Sequence, residues 1–290
     1  MKRRHFFKKA AVAGTAAGFM QAFPYHLFAS EQKLYAHDMV PLGNTGIKVT
    51  RLAMGTGTHG VGGRSNQTRK LGIKGLADLL HYAYDNGVMF WDSADQYGTH
   101  PHLKEALTRV PREKITVLTK THATTEKEMW ADIDRFRKEL NTDYLDVMLL
   151  HCMMSGSWPE YKKPAMEVLS RAREDGIIRA HGVSCHTLSA LKAAAESDWV
   201  QVDMARFNPA GVSMDADVAT VTKVLQKMKD DGKGIIGMKV LGAGKLEGKT
   251  DECLQFSLAK DFIDCFTIGQ ENADEFDDLL KRIPAASVRG

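Results

Sequence analysis

The sequence predicts an α/β fold of the (β/α)8 TIM-barrel class with an N-terminal β-hairpin, and three observations support this prediction. Short apolar runs alternate with amphipathic helical segments eight times along the chain. The 290 residues, less a basic N-terminal leader, suit one barrel of about 250 residues. No internal repeat beyond the βα unit, low-complexity tract or linker indicates a second domain. We therefore assign residues 38–290 to a single barrel domain.

Each element of this fold has its own sequence signal. The hairpin is predicted from "MVPLGNTGIKVTRLAMGTGTHG", where the turn residues 43–46 separate two short β-like runs, and we expect it to close one end of the barrel. The strands are predicted at residues 51–57, 87–92, 115–120, 145–151, 178–184, 199–204, 234–240 and 264–269. A helix is predicted after each strand, at residues 74–86, 102–108, 126–140, 162–175, 188–197, 215–230, 251–260 and 273–282.

A doubly wound open sheet is the alternative fold. Such sheets often bind a dinucleotide through G-x-G-x-x-G between the first strand and helix, and Gly55, Gly57 and Gly60 match this pattern. A polar stretch that runs to Gly72 separates these glycines from the predicted first helix. Bound phosphates would then not meet a helix N-terminus, so we favour the barrel.

The first thirty residues are typical of an export signal. They have a basic start, an apolar middle rich in Ala and Gly, and an aromatic tail, and the Arg3-Arg4 pair resembles the twin-arginine pattern. We predict a signal peptide at residues 1–30, cleaved near its end. The protein is then expected to pass through the twin-arginine export machinery to the periplasm, and to stay membrane-anchored if the signal is kept. Its apolar segment is too short to span a bilayer comfortably.

Charge and cysteine content exclude several classes of site. The formal net charge is +3, and much of that excess lies in the first nine residues, so the folded part lacks the basic surface of a nucleic-acid-binding protein. No CxxC pair occurs, so neither a zinc site nor an iron–sulfur cluster is predicted. Proteins that fold before export do so in a reducing compartment, where disulfides are rare. We expect small buried thiols at Cys152, Cys185, Cys253 and Cys265.

Four chemically active side chains follow the second, third and fourth predicted strands. Asp92 and Tyr97 follow the second strand, Lys120 ends the third and His151 ends the fourth. Singly, each has an ordinary structural explanation, such as a βα turn or a core histidine. In a barrel, however, all strand ends meet at one mouth. A nearby ammonium favours the phenolate, so we expect it to lower the pKa of the tyrosine toward working pH, with the aspartate holding the ammonium and the histidine orienting a carbonyl.

Several of these segments resemble the aldo/keto reductase superfamily. They are "GVMFWDSADQYG", the "VLTK" that ends in Lys120, and "DVMLLH", while "PLGNTGIKVTRLAMGT" resembles the family's opening and "GIIRAHGVS" its fifth strand. The resemblance implies a catalytic tetrad of Asp92, Tyr97, Lys120 and His151. Tyr97 would donate the proton as hydride passes from a nicotinamide, of NAD or NADP, to a carbonyl carbon.

The resemblance also implies a cofactor site spread over several strand ends. Ser184 matches the serine that holds the nicotinamide amide, although Cys185 replaces the usual following asparagine, and Gln201 matches a nicotinamide-contacting glutamine. The turn "GMKVLGAGKL" resembles the one that wraps the pyrophosphate. The implied cofactor-binding residues are Gly55, Thr56, Ser184, Gln201, Lys239, Leu241, Gly242, Gly244, Gly269 and Asn272.

Cofactor preference is predicted from the charges after the eighth strand. Relatives that use NADPH often place a basic residue there, whereas this chain has Glu271, Asp274 and Glu275. Carboxylates repel a 2′-phosphate and can accept hydrogen bonds from ribose hydroxyls, which favours NAD. Lys239 or Lys245 could still serve NADP.

The substrate and the functional class have open alternatives. The chain ends soon after the eighth helix, which favours an open mouth with Trp158, Tyr161 and Phe207 as walls, and a bulky carbonyl substrate such as a sugar. A cofactor-binding sensor on the same barrel is a second hypothesis. A Schiff-base aldolase that uses Lys120 or Lys239 is a third.

Overall fold

The structure, a computed structural model, describes residues 33–287. The predicted signal peptide, residues 1–30, lies outside the described residues. Among the helices described, none has the length and apolar character needed to cross a membrane.

Eight parallel strands close into a barrel, as predicted, after a two-stranded antiparallel hairpin. The hairpin strands are β1 (Met39–Pro41) and β2 (Lys48–Thr50). The barrel strands are β3 (Leu52–Gly55), β4 (Phe90–Asp92), β5 (Thr116–Thr121), β6 (Leu145–Met153), β7 (Ile178–Cys185), β8 (Val202–Arg206), β9 (Gly234–Met238) and β10 (Cys265–Gly269). Each strand pairs with its neighbour in sequence, and β10 closes the ring against β3.

A helical layer surrounds this barrel. Its α-helices are α1 (Asn66–Asp85), α2 (His100–Leu107), α3 (Glu126–Leu140), α4 (Trp158–Tyr161), α5 (Lys163–Glu174), α6 (Leu188–Glu196), α7 (Val218–Asp230), α8 (Thr250–Leu258) and α9 (Ala273–Ser287). One apolar cluster fills the space between strands and helices, and a second fills the barrel interior. This two-layer core leaves the strand ends as the place where polar groups can gather.

The hairpin closes the amino-terminal end of the barrel. Leu42, Ile47 and Val49 are buried in the same cluster as the inward-facing barrel residues. The backbone N–H of Asn44 donates to the carbonyl oxygen of Gly232, just before β9 begins. The opposite, carboxyl-terminal end is therefore the mouth that loops can line.

Two of the element boundaries that differ from the prediction bear on the site. Helix α1 begins at Asn66 rather than at residue 74, because Ser65 and Thr68 form a capping box, and Gly72 with φ 62° interrupts the helix. The glycines near residues 55–60 therefore lie much closer to a helix start than expected. Strand β8 begins at Val202, three residues later than predicted.

A buried carboxylate ties three elements on the outer side of the barrel. Asp146 of β6 is fully buried and accepts from Arg112 at 2.8 Å, from Arg179 at 2.7 Å and from the backbone N–H of Val117 at 2.9 Å. A buried charge is tolerated only when its lone pairs are satisfied in this way.

Replacing this carboxylate should destabilise the fold. We expect Asp146→Ala to lower the free energy of unfolding by about 2 kcal/mol, because it leaves the Val117 N–H without its acceptor and separates two guanidinium groups from their partner. Arg179 is half exposed, so Arg179→Ala should cost less than about 1 kcal/mol. Urea denaturation measures both values. Equal losses in the two variants would contradict the central role of Asp146.

Candidate active site

The barrel brings the four predicted side chains together at its mouth. Asp92 is the last residue of β4, Lys120 lies at the end of β5, and His151 lies in the last third of β6. Tyr97 ends a single 3-10 turn that follows β4. Because parallel strands end at the same edge, residues separated by more than fifty positions become neighbours.

The Lys120 ammonium is the centre of this group. It is 1% exposed, forms an ion pair with Asp92 and donates to the carbonyl oxygen of Ser93 at 2.7 Å. The Tyr97 ring lies beside it, with the Lys120 nitrogen 4.9 Å from the ring centroid. Two of the three donors of the ammonium are therefore used by Asp92 and Ser93, and its charge faces the Tyr97 side chain. Burial alone would lower the pKa of Lys120, but Asp92 and Tyr97 outweigh it and raise that pKa, so the amine is protonated and is no Schiff-base nucleophile.

Asp92 also accepts hydrogen bonds from residues in or next to the two strands that close the barrel, β10 and β3. Its second carboxylate oxygen accepts from the hydroxyl of Thr267, in β10, at 3.0 Å. Its backbone carbonyl accepts from the N–H of Thr56 at 3.0 Å and from the Thr56 hydroxyl at 2.8 Å. Thr56 was expected to contact cofactor, and that expectation is wrong for its side chain. The side chain is fully buried, and its hydroxyl is used within the protein, where it also contacts Thr99.

Tyr97 has a different electrostatic state from the one expected. Burial raises the pKa of Tyr97 above its usual 10.0, and the neighbouring Lys120, which acts in the opposite direction, does not outweigh burial. Asp92 adds to the rise, because it neutralises much of the ammonium's field. The expectation that Lys120 lowers the pKa of Tyr97 toward working pH is therefore wrong. At neutral pH the side chain is a neutral phenol with an ammonium beside its ring.

His151 is a neutral imidazole beside this phenol. Its ring meets the Tyr97 ring edge to face, with centroids 5.6 Å apart. Burial, followed by the charge of Lys120, lowers the pKa of His151 to about 2. The ring is 4% exposed and its Nδ1 has no hydrogen-bond partner among the described residues.

A glycine-rich loop packs directly on the tyrosine ring, which the sequence analysis missed. A β-carbon on Gly57 would lie 2.2 Å from Cε2 of Tyr97, and one on Gly60 would lie 2.3 Å from Cδ1. Neither distance is possible between carbon atoms that are not bonded. Two of the three glycines of the G-x-G-x-x-G match therefore make room for the Tyr97 ring. The sequence alone does not show that this loop lies so close in space to the turn that ends in Tyr97.

The sequence analysis also missed two polar residues at the mouth. His122, two residues after Lys120, stacks on His151 with ring centroids 4.9 Å apart and an interplanar angle of 22°. Gln96, which precedes Tyr97, lies with its Oε1 2.8 Å from Nε2 of His122. Each lies within two residues of a predicted catalytic residue, and this closeness in sequence was the only signal that could have identified them.

The turn after β9 contains several residues in the left-handed conformation. Lys239, Gly242 and Gly244 have φ values of 57°, 59° and 90°. A non-glycine residue in the left-handed region is strained, and Lys239 is held there because its carbonyl oxygen accepts from Gly242 N–H at 2.8 Å and from Asn208 Nδ2 at 3.2 Å. Leu241 has a negative φ but Ala243 has φ 58°, and the N–H of Gly244 donates to the carbonyl oxygen of Leu241 at 3.0 Å, so the N–H groups of both glycines are used within the turn.

Two predicted nicotinamide contacts occupy opposite ends of the barrel. Ser184 lies near the mouth, and its hydroxyl oxygen accepts from the N–H of Cys152 at 2.9 Å. Cys185 faces the helical layer and contributes nothing to the mouth. Gln201 precedes β8 at the amino-terminal end, where its Oε1 accepts from the N–H of His181. The assignment of Gln201 to the cofactor site is therefore wrong, because the strand starts three residues later than predicted.

The residue beside Ser184 in the sheet is Met204 rather than a glutamine. Met204 is buried in the barrel interior. The inward-facing position next to the serine thus carries a thioether, which is at most a weak acceptor.

The segment after β10 is less acidic than its sequence suggests. Gly269 pairs with Gly55 where β10 and β3 end. Glu271 forms an ion pair with Lys70 of α1 and accepts from Asn66 at 2.7 Å, so its charge is balanced. The Asn272 side chain is used at the start of α9, where it accepts from the N–H of Glu275 at 2.9 Å and donates to that residue's carboxylate. Asp274 is exposed.

Two of the three aromatic walls predicted for the mouth are buried elsewhere. Trp158 is 0% exposed and donates to the carbonyl oxygen of Ala190 at 3.1 Å. Phe207 is 1% exposed and stacks on Phe256 with centroids 5.0 Å apart. Tyr161 remains exposed. The aromatic residues in this part of the sequence serve the helical layer, because that layer needs large apolar side chains.

All four cysteines are free. Cys185, Cys253 and Cys265 are buried as expected. Cys152 is only partly buried, adopts φ 61° and lies with its sulfur 3.3 Å from Nδ1 of His186. Burial raises the pKa of the Cys152 thiol, so it is protonated at neutral pH.

Known proteins share this sequence pattern and this fold. A protein of Glycine max named "Probable aldo-keto reductase 1" is 29% identical over 179 residues, 53% of this chain and 50% of that protein. D-threo-aldose 1-dehydrogenase of a Pseudomonas species is 23% identical over 227 residues, 67% of each chain. The chain spans about half the length of the first of these relatives. The holo form of an aldo-keto reductase from Bacillus halodurans superposes with a TM-score of 0.69 at 16% identity, over 85% of this chain and 90% of that one.

The family assignment rests on most of the barrel. The family model described as "Aldo/keto reductase family" matches residues 51–282, which run from the start of β3 into α9. The matched residues include the four side chains gathered at the mouth. The chain belongs to the aldo/keto reductase family.

Proposed function

We propose that the protein is a nicotinamide-dependent oxidoreductase that interconverts an aldehyde or ketone with its alcohol. The observation that carries the proposal is the buried Lys120 ammonium, which is held by Asp92 and Ser93 and lies 4.9 Å from the centroid of the Tyr97 ring. This arrangement suits a proton transfer from Tyr97 to an oxygen that gains negative charge. When bound, the nicotinamide supplies or accepts the hydride.

In the reduction direction Tyr97 is proposed as the general acid. A pKa above 10.0 keeps the phenol protonated at neutral pH, which is the form that can donate. As the proton leaves, negative charge develops on the phenol oxygen, and the Lys120 ammonium beside the Tyr97 ring favours that charge. The stabilisation is thus much larger in the transition state than in the resting site, which is the requirement for catalysis. In the reverse direction the phenolate would accept the proton.

His151 is proposed to orient the carbonyl. Because its pKa is about 2, the ring is neutral and offers one N–H donor and one acceptor. A neutral donor can hydrogen-bond a carbonyl oxygen without competing with Tyr97 to protonate it. The edge-to-face contact with Tyr97 keeps the two rings in a fixed relation.

The residues at the rim fit a dinucleotide. The turn after β9 carries the half-buried Lys239, which has no ion-pair partner among residues 33–287. Gln270, at the end of β10, is 1% exposed, and neither its Oε1 nor its Nε2 has a partner in the described residues. Buried amides are nearly always hydrogen-bonded. We propose that Lys239, Leu241, Gly242 and Gly244 hold the pyrophosphate, and that Ser184, Gly55, Gly269 and Gln270 line the same groove.

Cofactor choice is proposed to favour NAD weakly over NADP. No basic side chain of the segment 269–275 faces a 2′-phosphate, since that segment contains none. Lys70 of α1, which reaches this segment, is already paired with Glu271. Glu271 would repel a phosphate placed beside it, whereas it would not repel the ribose hydroxyl of NAD.

Export through the twin-arginine route to the periplasm is also proposed, on the basis of the first thirty residues alone. Because free nicotinamide cofactors are not expected outside the cytoplasm, such a protein would fold around a tightly held cofactor before export.

The direct test of the proposed function is Tyr97→Phe. We expect the unaltered protein to oxidise NADH or NADPH in the presence of aldehydes, and the variant to lose at least about 100-fold in kcat, because the ring remains and only the proton donor is removed. Calorimetric titration with both cofactors is the folding control, and both proteins should bind NADH more tightly than NADPH.

Equal turnover by Tyr97→Phe would overturn the role of Tyr97. Cofactor binding by the unaltered protein without turnover of any aldehyde would instead support the sensor hypothesis.

The glycine loop provides a second test. A methyl group on Gly57 must displace the Tyr97 ring, and a shift of about 1 Å in a reacting group can cost about 100-fold in rate. We therefore expect Gly57→Ala to lower kcat by about that factor while cofactor affinity is kept. Gly248→Ala is the matched control, because nothing lies within 4 Å of a β-carbon there. Unchanged kcat in Gly57→Ala would show that the loop does not position the ring.

A further inference from the structure

A chain of polar contacts at the mouth has no role in the proton transfer. Gln96 Nε2 donates to the carbonyl oxygen of Gly60 at 3.2 Å, and the backbone oxygen of Gln96 accepts from Gly63 N–H at 2.9 Å. A carbonyl oxygen can only accept, so the first contact fixes which end of the Gln96 amide is the nitrogen. The amide oxygen therefore faces His122, 2.8 Å from its Nε2.

This contact determines the tautomer of His122. Since the Gln96 oxygen can only accept, Nε2 of His122 must carry the hydrogen. Burial, followed by the charge of Lys162, holds the pKa of His122 below its usual value, so the ring is neutral. Lys162 lies close by, with its ammonium donating to the His122 carbonyl oxygen at 2.6 Å. Nδ1 of His122 is then a free lone pair, and it has no protein partner among the described residues.

The ring that carries this lone pair lies next to the group proposed to bind the carbonyl. The His122 ring stacks on His151 at 4.9 Å, and His151 is the residue proposed to orient the carbonyl. The side chain of His122 is partly exposed at the mouth, with one ring face covered by His151. A substituent one or two bonds from the carbonyl carbon could therefore contact the second imidazole while the carbonyl oxygen contacts the first.

We propose that His122 is a specificity-determining residue whose Nδ1 accepts a hydrogen bond from a hydroxyl adjacent to the reacting carbonyl. The inference rests on the proposed function and names its substrate class, the α-hydroxy carbonyl compounds. Gln96 acts as a positioning residue, because it keeps the hydrogen on Nε2 and leaves Nδ1 as the acceptor. A site with such a fixed acceptor favours a substrate that brings the O–H over one that lacks it.

The test compares two substrates that differ by one hydroxyl, 2-hydroxypropanal and propanal, in three proteins. His122→Phe keeps a flat ring against His151 and removes the acceptor, whereas His122→Asn removes the ring and keeps an oxygen acceptor close to the position of Nδ1. We expect the ratio of kcat/KM for 2-hydroxypropanal to that for propanal to fall about tenfold in His122→Phe, which is the loss of one hydrogen bond. The ratio should be largely retained in His122→Asn, and propanal turnover should persist in both variants.

An unchanged ratio in an active His122→Phe protein would overturn the inference and leave the proposed function standing. An equal fall in both variants would also overturn it, because the stacked ring rather than the acceptor would then set the preference. If the unaltered protein reduces neither aldehyde, the proposed function itself fails and the inference fails with it.

Discussion

The site depends on one buried ammonium. A buried ammonium needs polar partners, and the barrel supplies Lys120 with two acceptors, the Asp92 carboxylate and the Ser93 carbonyl oxygen, and places the Tyr97 ring beside it. Thr267 in turn satisfies the free oxygen of Asp92. The strand closure of β10 on β3 therefore supports the electrostatics of the mouth as well as the fold.

The balance between burial and charge decides what this site can do. Burial wins over the ammonium, so the pKa of Tyr97 is raised and the phenol keeps its proton at neutral pH. His151 is neutral because burial and Lys120 both oppose its charged form. Before reaction the mouth thus holds a neutral acid, a neutral donor and a balanced ion pair. In the proposed reaction, charge would appear only during proton transfer, beside a cation that is already in place.

The sequence was sufficient for the barrel, the hairpin and the gathering of Asp92, Tyr97, Lys120 and His151, because strand ends of a closed parallel barrel must converge. It was insufficient wherever the answer depended on three-dimensional packing. Strand β8 starts three residues later than predicted. Gln201 therefore lies at the amino-terminal end of the barrel, whereas the prediction required it at the mouth. Gly57 and Gly60 match a phosphate-binding pattern but make room for a ring, and Trp158 and Phe207 pack into the helical layer. Whether the pKa of Tyr97 is raised or lowered depends on how deeply its side chain is buried. Residue spacing in the sequence does not reveal that burial.

The most direct measurement of this account is the pH dependence of kcat/KM for aldehyde reduction. The proposed reduction needs the protonated phenol, so we expect activity to be lost as pH rises through the pKa of Tyr97. Because that pKa lies above 10.0 and His151 titrates only near a pKa of about 2, the profile should be flat between roughly pH 6 and 9 and fall only in stronger alkali. A fall centred between about pH 7 and 8 would contradict the account, because it would mean that Lys120 rather than burial controls the tyrosine.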